Sequence, residues 1–312
     1  MTYSRRVDVF RGHQTVPGWR SGTAVAIGNF DGAHVGHRAL IRRAREIAGA
    51  HDAVTLALTF DPHPSQLLAP KAPPMISSLA RRIELLGEAG ADVVVVEPFT
   101  RELASRAAHA FIDDIVIGAL SARAIVVGYD FTYGQGRSGT TDALRAHGGR
   151  AGVEVAILPA VEVGGEIASS SRIRAHLQQG DLAAAERLLG RAWDIDGIVV
   201  HGAKRGRAIG VPTANIRTDT ELLLRGGIYA VRLAVDGGPP LPAVASLGTN
   251  PTFVESGGLV LEVHVLDFDG DLYGRRVRTT FVAHLRDEAK FDSVDALIAQ
   301  IRDDIDAARR VL

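Results

Sequence analysis

The sequence predicts an α/β chain of two domains: an N-terminal Rossmann-like half built on a parallel sheet, and a C-terminal antiparallel β-barrel with a terminal helix. Three observations predict it. Over roughly the first 165 residues, short runs rich in Val and Ile alternate with helical periods, the pattern of strands covered on both faces of a parallel sheet. From about residue 194 onward the strands alternate with period two, and Asp-Gly and Gly-Gly turns punctuate them, as in hairpins. A length of 312 residues, 46% hydrophobic and 23% charged, suits two globular cores of ordinary composition.

Taken in order, the predicted strands of the first half are 23–30, 53–60, 92–99, 123–131 and 153–163. Helices are expected over 36–50, 78–90, 100–120 and 140–147, the first with Leu40, Ile41, Ala44, Ile47 and Ala48 on one face. A helical stretch follows at 172–191, and the expected domains are residues 1–186 and 187–312. In the second half, 228–235 sets Tyr229, Val231, Leu233 and Val235 on one face. The run 259–266 does so with Leu259, Leu261, Val263 and Val265, which leaves Glu262 and His264 together on the other face. The last helix, 292–312, carries a stripe of Val294, Leu297, Ile298, Ile301 and Ile305, capped by Asp292 or Ser293.

Composition excludes several classes. Lys+Arg is 35 against Asp+Glu 36, so the chain lacks the basic footprint of a general nucleic-acid binder. With no cysteine, disulfides, thiolate metal sites and cysteine nucleophiles are ruled out. No run approaches the ~18 apolar residues of a membrane helix, and the first residues lack a signal-peptide core, so a soluble, cytoplasmic chain without a membrane partner is expected. The three lysines, Lys71, Lys204 and Lys290, precede Ala72, Arg205 and Phe291. A phosphate loop of the Walker type needs Ser or Thr after its lysine, so any nucleoside triphosphate is bound without one.

The segment 28–38, GNFDGAHVGHR, joins the first of these strands to the following helix. Gly28, Gly32 and Gly36 let a ligand approach the backbone, and a helix N-terminus attracts phosphate. His34 and His37 share a helix face and could stabilise charge on a transferring phosphoryl group. The alternatives are a chance pair on a solvated helix, or a metal site without a third ligand nearby. GQGRSG at 134–139 matches GxGxxG, but the dinucleotide fingerprint belongs on the first strand of its unit, not the fourth. Ser169, Ser170 and Ser171 precede Arg172 and Arg174, a set of hydroxyls and guanidinium suited to phosphate. Thr213 and Asn215 point the same way from an extended segment, and their neutral oxygens could ligand Mg²⁺; an ordinary Pro-initiated turn is the bland alternative. Glu262 is either a solvated strand carboxylate or a catalytic base.

GNFDGAHVGHR resembles the HxGH signature of nucleotidyltransferases, in the form found in prokaryotic bifunctional riboflavin kinase/FMN adenylyltransferases (FAD synthetases). TFDPHP at 59–64, VGYDFTYGQGRSG at 127–139, SSSRIR at 169–174, GRAIGVPTANI at 206–216, GGIYAV at 226–231, SLGTNPTF at 246–253, LEVHVLDF at 261–268 and DLYG at 271–274 follow the family order. Tyr133, Ala168 and Ser171 depart mildly from its usual residues. The resemblance implies ATP-dependent phosphorylation of riboflavin to FMN in the C-terminal half, and adenylylation of FMN to FAD in the N-terminal half. It implies His34 and His37 as catalytic, with Gly28, Asn29, Phe30, Asp31, Gly36, Asp130, Ser169, Ser170, Ser171, Arg174, Gly206 and Gly210 binding nucleotide. It further implies Phe60, Pro62, His63, Tyr229 and Arg286 at flavin, Mg²⁺ on Thr213 and Asn215, and Glu262 as the kinase base. The rival readings are an HxGH enzyme for another substrate and a non-catalytic flavin- or nucleotide-binding regulator.

Overall fold

The computed structural model describes residues 7–202, 210–249 and 259–312. The chain divides into two compact units, Met1–Pro73 with Leu79–Ser169, and Pro74–Ser78 with Ser170–Leu312.

In the first unit β1 (Asp8–Arg11), β2 (Thr23–Ile27), β3 (Val54–Asp61), β4 (Val93–Pro98), β5 (Ala122–Gly128) and β6 (Glu154–Leu158) form one sheet in the order β1-β4-β3-β2-β5-β6. Every pairing is parallel, as predicted. Alternate strand residues feed two apolar layers. On one face Ala24, Ala26, Ala57 and Ala124 make a shallow floor under Leu40, Ile41, Ala44 and Ile47 of α1 (Val35–Ala50), since small residues let a helix pack close. On the other face Val25, Ile27, Leu56 and Leu58 meet Phe111, Ile112, Ile115 and Val116. The chain runs from β2 outward to one side through β3 and β4, and to the other through β5 and β6. The carboxyl ends of β2 and β5 therefore flank a topological switch point, where such sheets bind ligands.

Two expected elements of this unit differ, and one strand is added. The edge strand β1 was not predicted, because its four residues are too few for a period to show. The helix expected over 100–120 breaks into Arg101–Ser105, Ala108–Ala110 and a π-helical Phe111–Ala119. At the break the Arg106 carbonyl accepts from the Gln135 N–H at 2.9 Å, a long-range bond that no local pattern reveals. The run 153–163 stops at Leu158 and continues as a small hairpin of β7 (Glu162–Val163) and β8 (Glu166–Ile167).

In the second unit β9 (Asp194–Val200), β10 (Ala214–Thr218), β11 (Gly227–Val235), β12 (Leu241–Thr249), β13 (Leu259–Val265) and β14 (Arg276–Arg286) close a barrel in the order β10-β13-β12-β11-β14-β9. All six pairings are antiparallel. Leu261, Val263 and Val265 are buried inward, while Glu262 and His264 lie on the outer face. Against β11 the register of β14 shifts twice, leaving Leu285 and Val282 without a partner residue, and Ala230 is buried together with Tyr229 and Val231. The expected helix at 172–191 is two, Ser170–Gln179 and Leu182–Leu189, parted by Gly180 at φ 78° and recapped by Asp181, whose Oδ1 accepts from Ala184 N–H at 2.9 Å. Both helices belong with the barrel. Trp193 is buried against Phe281 and donates from Nε1 to the Ile76 carbonyl at 3.0 Å, and Arg174 Nε donates to the Pro74 carbonyl at 2.7 Å. Those two bonds attach residues 74–78 to this unit. The terminal helix Val294–Val311 starts at Ser293, whose Oγ accepts from Ala296 N–H at 3.1 Å.

Candidate functional site

The first site lies past the end of β2, where the chain turns into α1. Phe30 (φ 54°) and Ala33 (φ 42°) hold left-handed backbone beside Gly32 (φ 77°), a strained turn for non-glycine residues. A Cβ on Gly28 would sit 3.1 Å from the buried Phe30 ring, which accounts for glycine there, and Asp31 is buried in the same turn.

His34 is the N-cap of α1, its Nδ1 accepting from Gly36 N–H at 3.2 Å and His37 N–H at 3.4 Å. An accepting Nδ1 assigns the ring proton to Nε2, so the free edge is a donor. The His37 ring stacks on it at 3.6 Å between centroids, and Phe30 closes edge-on at 5.3 Å. Burial lowers His34 to a pKa of about 4. Burial holds His37 well below its usual value too, helped by the charges of His34 and Arg82. Both imidazoles are therefore neutral donors at pH 7. Gly36 is required by this arrangement, since a Cβ there would approach His34 Cε1 to 3.0 Å. The Ala168 carbonyl lies 3.8 Å from that same point, which brings the chain just before Ser169 alongside the turn.

Asp130 is exposed past the end of β5, on the other side of the switch point. Two of the three glycines of 134–139 are used by the chain itself, since a Cβ on Gly134 would meet Ala108 Cα at 2.5 Å and one on Gly139 the Tyr133 ring at 2.6 Å, while Gly136 faces open space. At Gly134 and Gly139 the close approach that a pyrophosphate would exploit is thus already taken. Near the end of β3, Phe60 is buried edge-on to Phe99, and Pro62 follows directly after the strand. His63 caps the short helix Pro64–Leu68, its Nδ1 accepting from Ser65 N–H at 3.2 Å.

In the second unit Ser170, Ser171 and Arg174 occupy the first turns of Ser170–Gln179, with Ser171 exposed and Arg174 buried. On the barrel, Asn215 of β10 stands directly opposite Glu262 of β13, and Ser246 of β12 flanks Glu262 on its other side. Thr213 Oγ1 donates to Glu262 Oε2 at 3.3 Å. A Cβ on Gly202 would overlap the Asn215 amide at 2.2 Å, so that glycine makes room for it. The three residues thus converge on the outer face, beside an open cleft lined by Pro212, Val263, Phe268, Leu272 and Tyr273. Gly210 (φ 77°) faces open space, and Gly206 lies outside the described residues.

Tyr229 and Arg286 are committed elsewhere. The Tyr229 ring is fully buried in the barrel; its hydroxyl donates to the Arg225 carbonyl at 2.8 Å, and burial pushes its pKa up to about 12. Arg286 makes a two-pronged ion pair with Asp304, Nε to Oδ1 and Nη2 to Oδ2, each at 2.7 Å. That pair fastens the terminal helix to β14.

Two residues escaped the sequence reading. Ser246 needed the strand register to be found. Arg82, buried on the helix Leu79–Ala89, reaches the Asn29 carbonyl at 2.9 Å and the Phe60 carbonyl at 3.2 Å. The sequence did hold a signal for it: Leu79, Arg82, Ile83 and Leu86 fall on one helical stripe, and a charge on an apolar stripe marks a buried ion.

A phosphate-receptive turn at the switch point of a parallel sheet, joined to a barrel bearing a Thr–Asn–Glu cluster, defines a two-domain, nucleotide-using transferase. The comparisons give the family. The FAD synthetase family matches residues 17–172 and the riboflavin kinase family residues 189–312. The bifunctional riboflavin kinase/FMN adenylyltransferase of Pseudomonas fluorescens is 38% identical, with 97% of each chain aligned. That of Escherichia coli K12 is 39% identical over 92% of each. The chain belongs to the bifunctional riboflavin kinase/FMN adenylyltransferase family. A crystal structure described as a macrolide-efflux protein from Streptococcus pneumoniae superposes with a TM-score of 0.87 at 33% identity, covering 97% of this chain and 99% of that one; the activity in that description is said of that protein alone. Among the described residues no helix is long and apolar enough to cross a membrane.

Proposed function

We propose that the chain phosphorylates riboflavin to FMN with ATP on its barrel, then adenylylates FMN to FAD in its N-terminal half, acting in the cytoplasm. The two activities divide near 186/187. The observation that carries the reading is the convergence of Thr213 and Asn215 with Glu262, which is far from them in sequence, on one patch of the barrel's outer face.

Riboflavin attacks through a neutral hydroxyl, whose proton must leave. Glu262 takes it as the oxygen bonds to the γ-phosphorus, and ADP departs. Thr213, donating to Glu262, holds the carboxylate in one orientation. The neutral oxygens of Thr213 and Asn215 beside this carboxylate are hard donors that fit Mg²⁺. Bound there with ATP, the ion would neutralise charge on the transferring phosphoryl.

Adenylylation needs no base, because the FMN phosphate is already anionic. It attacks the α-phosphorus of ATP and pyrophosphate leaves. His34 and His37 donate to the developing charge as neutral rings, and the α1 N-terminus adds its dipole. Asn29, Asp31, Asp130 and Ser169 serve the nucleotide, and the β3 end at Pro62 and His63 borders the flavin; Ser170, Ser171 and Arg174 carry hydroxyls and a guanidinium suited to phosphate.

The test is incubation of the full chain with riboflavin, ATP and Mg²⁺, with FMN and FAD separated by HPLC over time. FMN should appear first and FAD after it. Failure to form either product would overturn the assignment; FMN alone would overturn its N-terminal half.

A further inference from the structure

We propose that Arg82 is a positioning residue for adenylyl transfer: its guanidinium ties the ends of β2 and β3 together and so fixes the turn that carries His34 and His37. The inference rests on the functional reading above.

Arg82 is 3% exposed. Its Nη1 lies 2.9 Å from the Asn29 carbonyl, 3.2 Å from the Phe60 carbonyl and 3.3 Å from Thr59 Oγ1. Thr59 Oγ1 in turn donates to the Asn29 carbonyl at 3.1 Å. Asn29 stands beyond the last ladder residue of β2, so these two donors take the place of strand pairing. The next residue is Phe30, held at positive φ, and its ring meets His37 edge-on. A continuous chain of contacts thus runs from Arg82 through Asn29 and Phe30 to His37.

Stability alone explains this arginine poorly. It occupies an apolar stripe, where a well-packed hydrophobic side chain is commonly as stable as a buried ion. Its Nε has no hydrogen-bond partner among the described residues. The carboxylates of Asp31 and Asp61 supply the compensating charge. Local rules broken this way are the mark of a functional site.

Arg82→Lys keeps the charge and length but lacks the planar fork. It should lower the adenylylation kcat about 10-fold, as a displacement of roughly half an ångström would. The KM for ATP and the riboflavin kinase rate should stay within about twofold of wild type. Arg82→Met leaves Asp31 and Asp61 uncompensated, so it should also raise the KM for ATP. Both variants are assayed as full-length protein for both activities, with rates normalised to the folded fraction from a thermal melt. A purely structural role would lower the melting temperature and leave kcat per folded molecule unchanged, and that result overturns the proposal. So does a wild-type kcat in Arg82→Lys, which decides the matter alone should Arg82→Met not fold. Absence of FAD synthesis by the wild-type chain would remove the functional reading and this inference together.

Discussion

Gly36→Ala separates catalysis from stability at the first site. A methyl group there would lie 3.0 Å from His34 Cε1 and 3.1 Å from Nδ1, so the ring must retreat by a few tenths of an ångström. Retreat weakens the cap on α1, whose loss costs about 1 kcal/mol, and pushes the ring off its rotamer at about 0.5–1.5 kcal/mol. Against this, Ala in place of Gly within a helix stabilises by about 0.5–1 kcal/mol. The net destabilisation is therefore about 0.5–2 kcal/mol. For catalysis there is no such offset. If 1 Å of misplacement costs about 10²-fold, a shift of ~0.4 Å costs roughly 5- to 10-fold. The assay is FAD formation from supplied FMN and ATP by HPLC, with riboflavin phosphorylation on the same preparation as internal reference. Adenylylation at the wild-type rate in a protein of wild-type melting temperature would refute the reasoning, because the His34 ring would then have room that the structure denies it.

Three further outcomes are expected. Glu262→Gln keeps the shape and strand pairing but removes the basic oxygen, so riboflavin phosphorylation should fall about 10²–10⁴-fold while FAD formation from supplied FMN persists; a kinase rate near wild type eliminates the base. His34→Asn preserves a good N-cap and removes a ring that stays neutral in the folded state down to about pH 4. The unfolded ring takes up a proton below its ordinary pKa near 6.5, so stability falls as pH drops from about 6.5 toward 4. Urea unfolding across that window should show a shallower fall in the variant, and an unchanged slope would count against a buried neutral His34. Tyr229→Phe removes the hydroxyl that donates to the Arg225 carbonyl and should cost about 1 kcal/mol with riboflavin affinity unchanged; a clear loss of flavin binding by fluorescence titration would instead place that ring at the ligand.

The fold class was legible because each half has its own hydrophobic period. The parallel strands are buried on both faces and read as continuous Val and Ile runs, while β13 alternates cleanly and so displayed Glu262 on its outer face. His34 and His37 were legible because cap, glycine and helix face lie within four residues of each other. What escaped depends on contacts across the fold. The 100–120 helix breaks because the Arg106 carbonyl is taken by Gln135, and Tyr229 is sealed in the barrel with its hydroxyl on a backbone carbonyl; the alternating pattern sets that ring with Val231, Leu233 and Val235, and only the family resemblance puts it at flavin. Thr213, Asn215 and Glu262 could be named singly, but their meeting is a matter of strand register.

That register has a consequence of parity. Asn215, Glu262 and Ser246 stand in one row because β10, β13 and β12 are in step, and β13 is held on both edges in a closed barrel, with no free edge along which to slide. Inserting or deleting a single residue between Leu259 and Glu262 would turn the carboxylate from the outer face into the core while Leu261 turned outward. A change of two residues would restore the facing. Lengths of this strand compatible with catalysis therefore come in steps of two, and lineages of this barrel should vary β13 by even numbers or not at all.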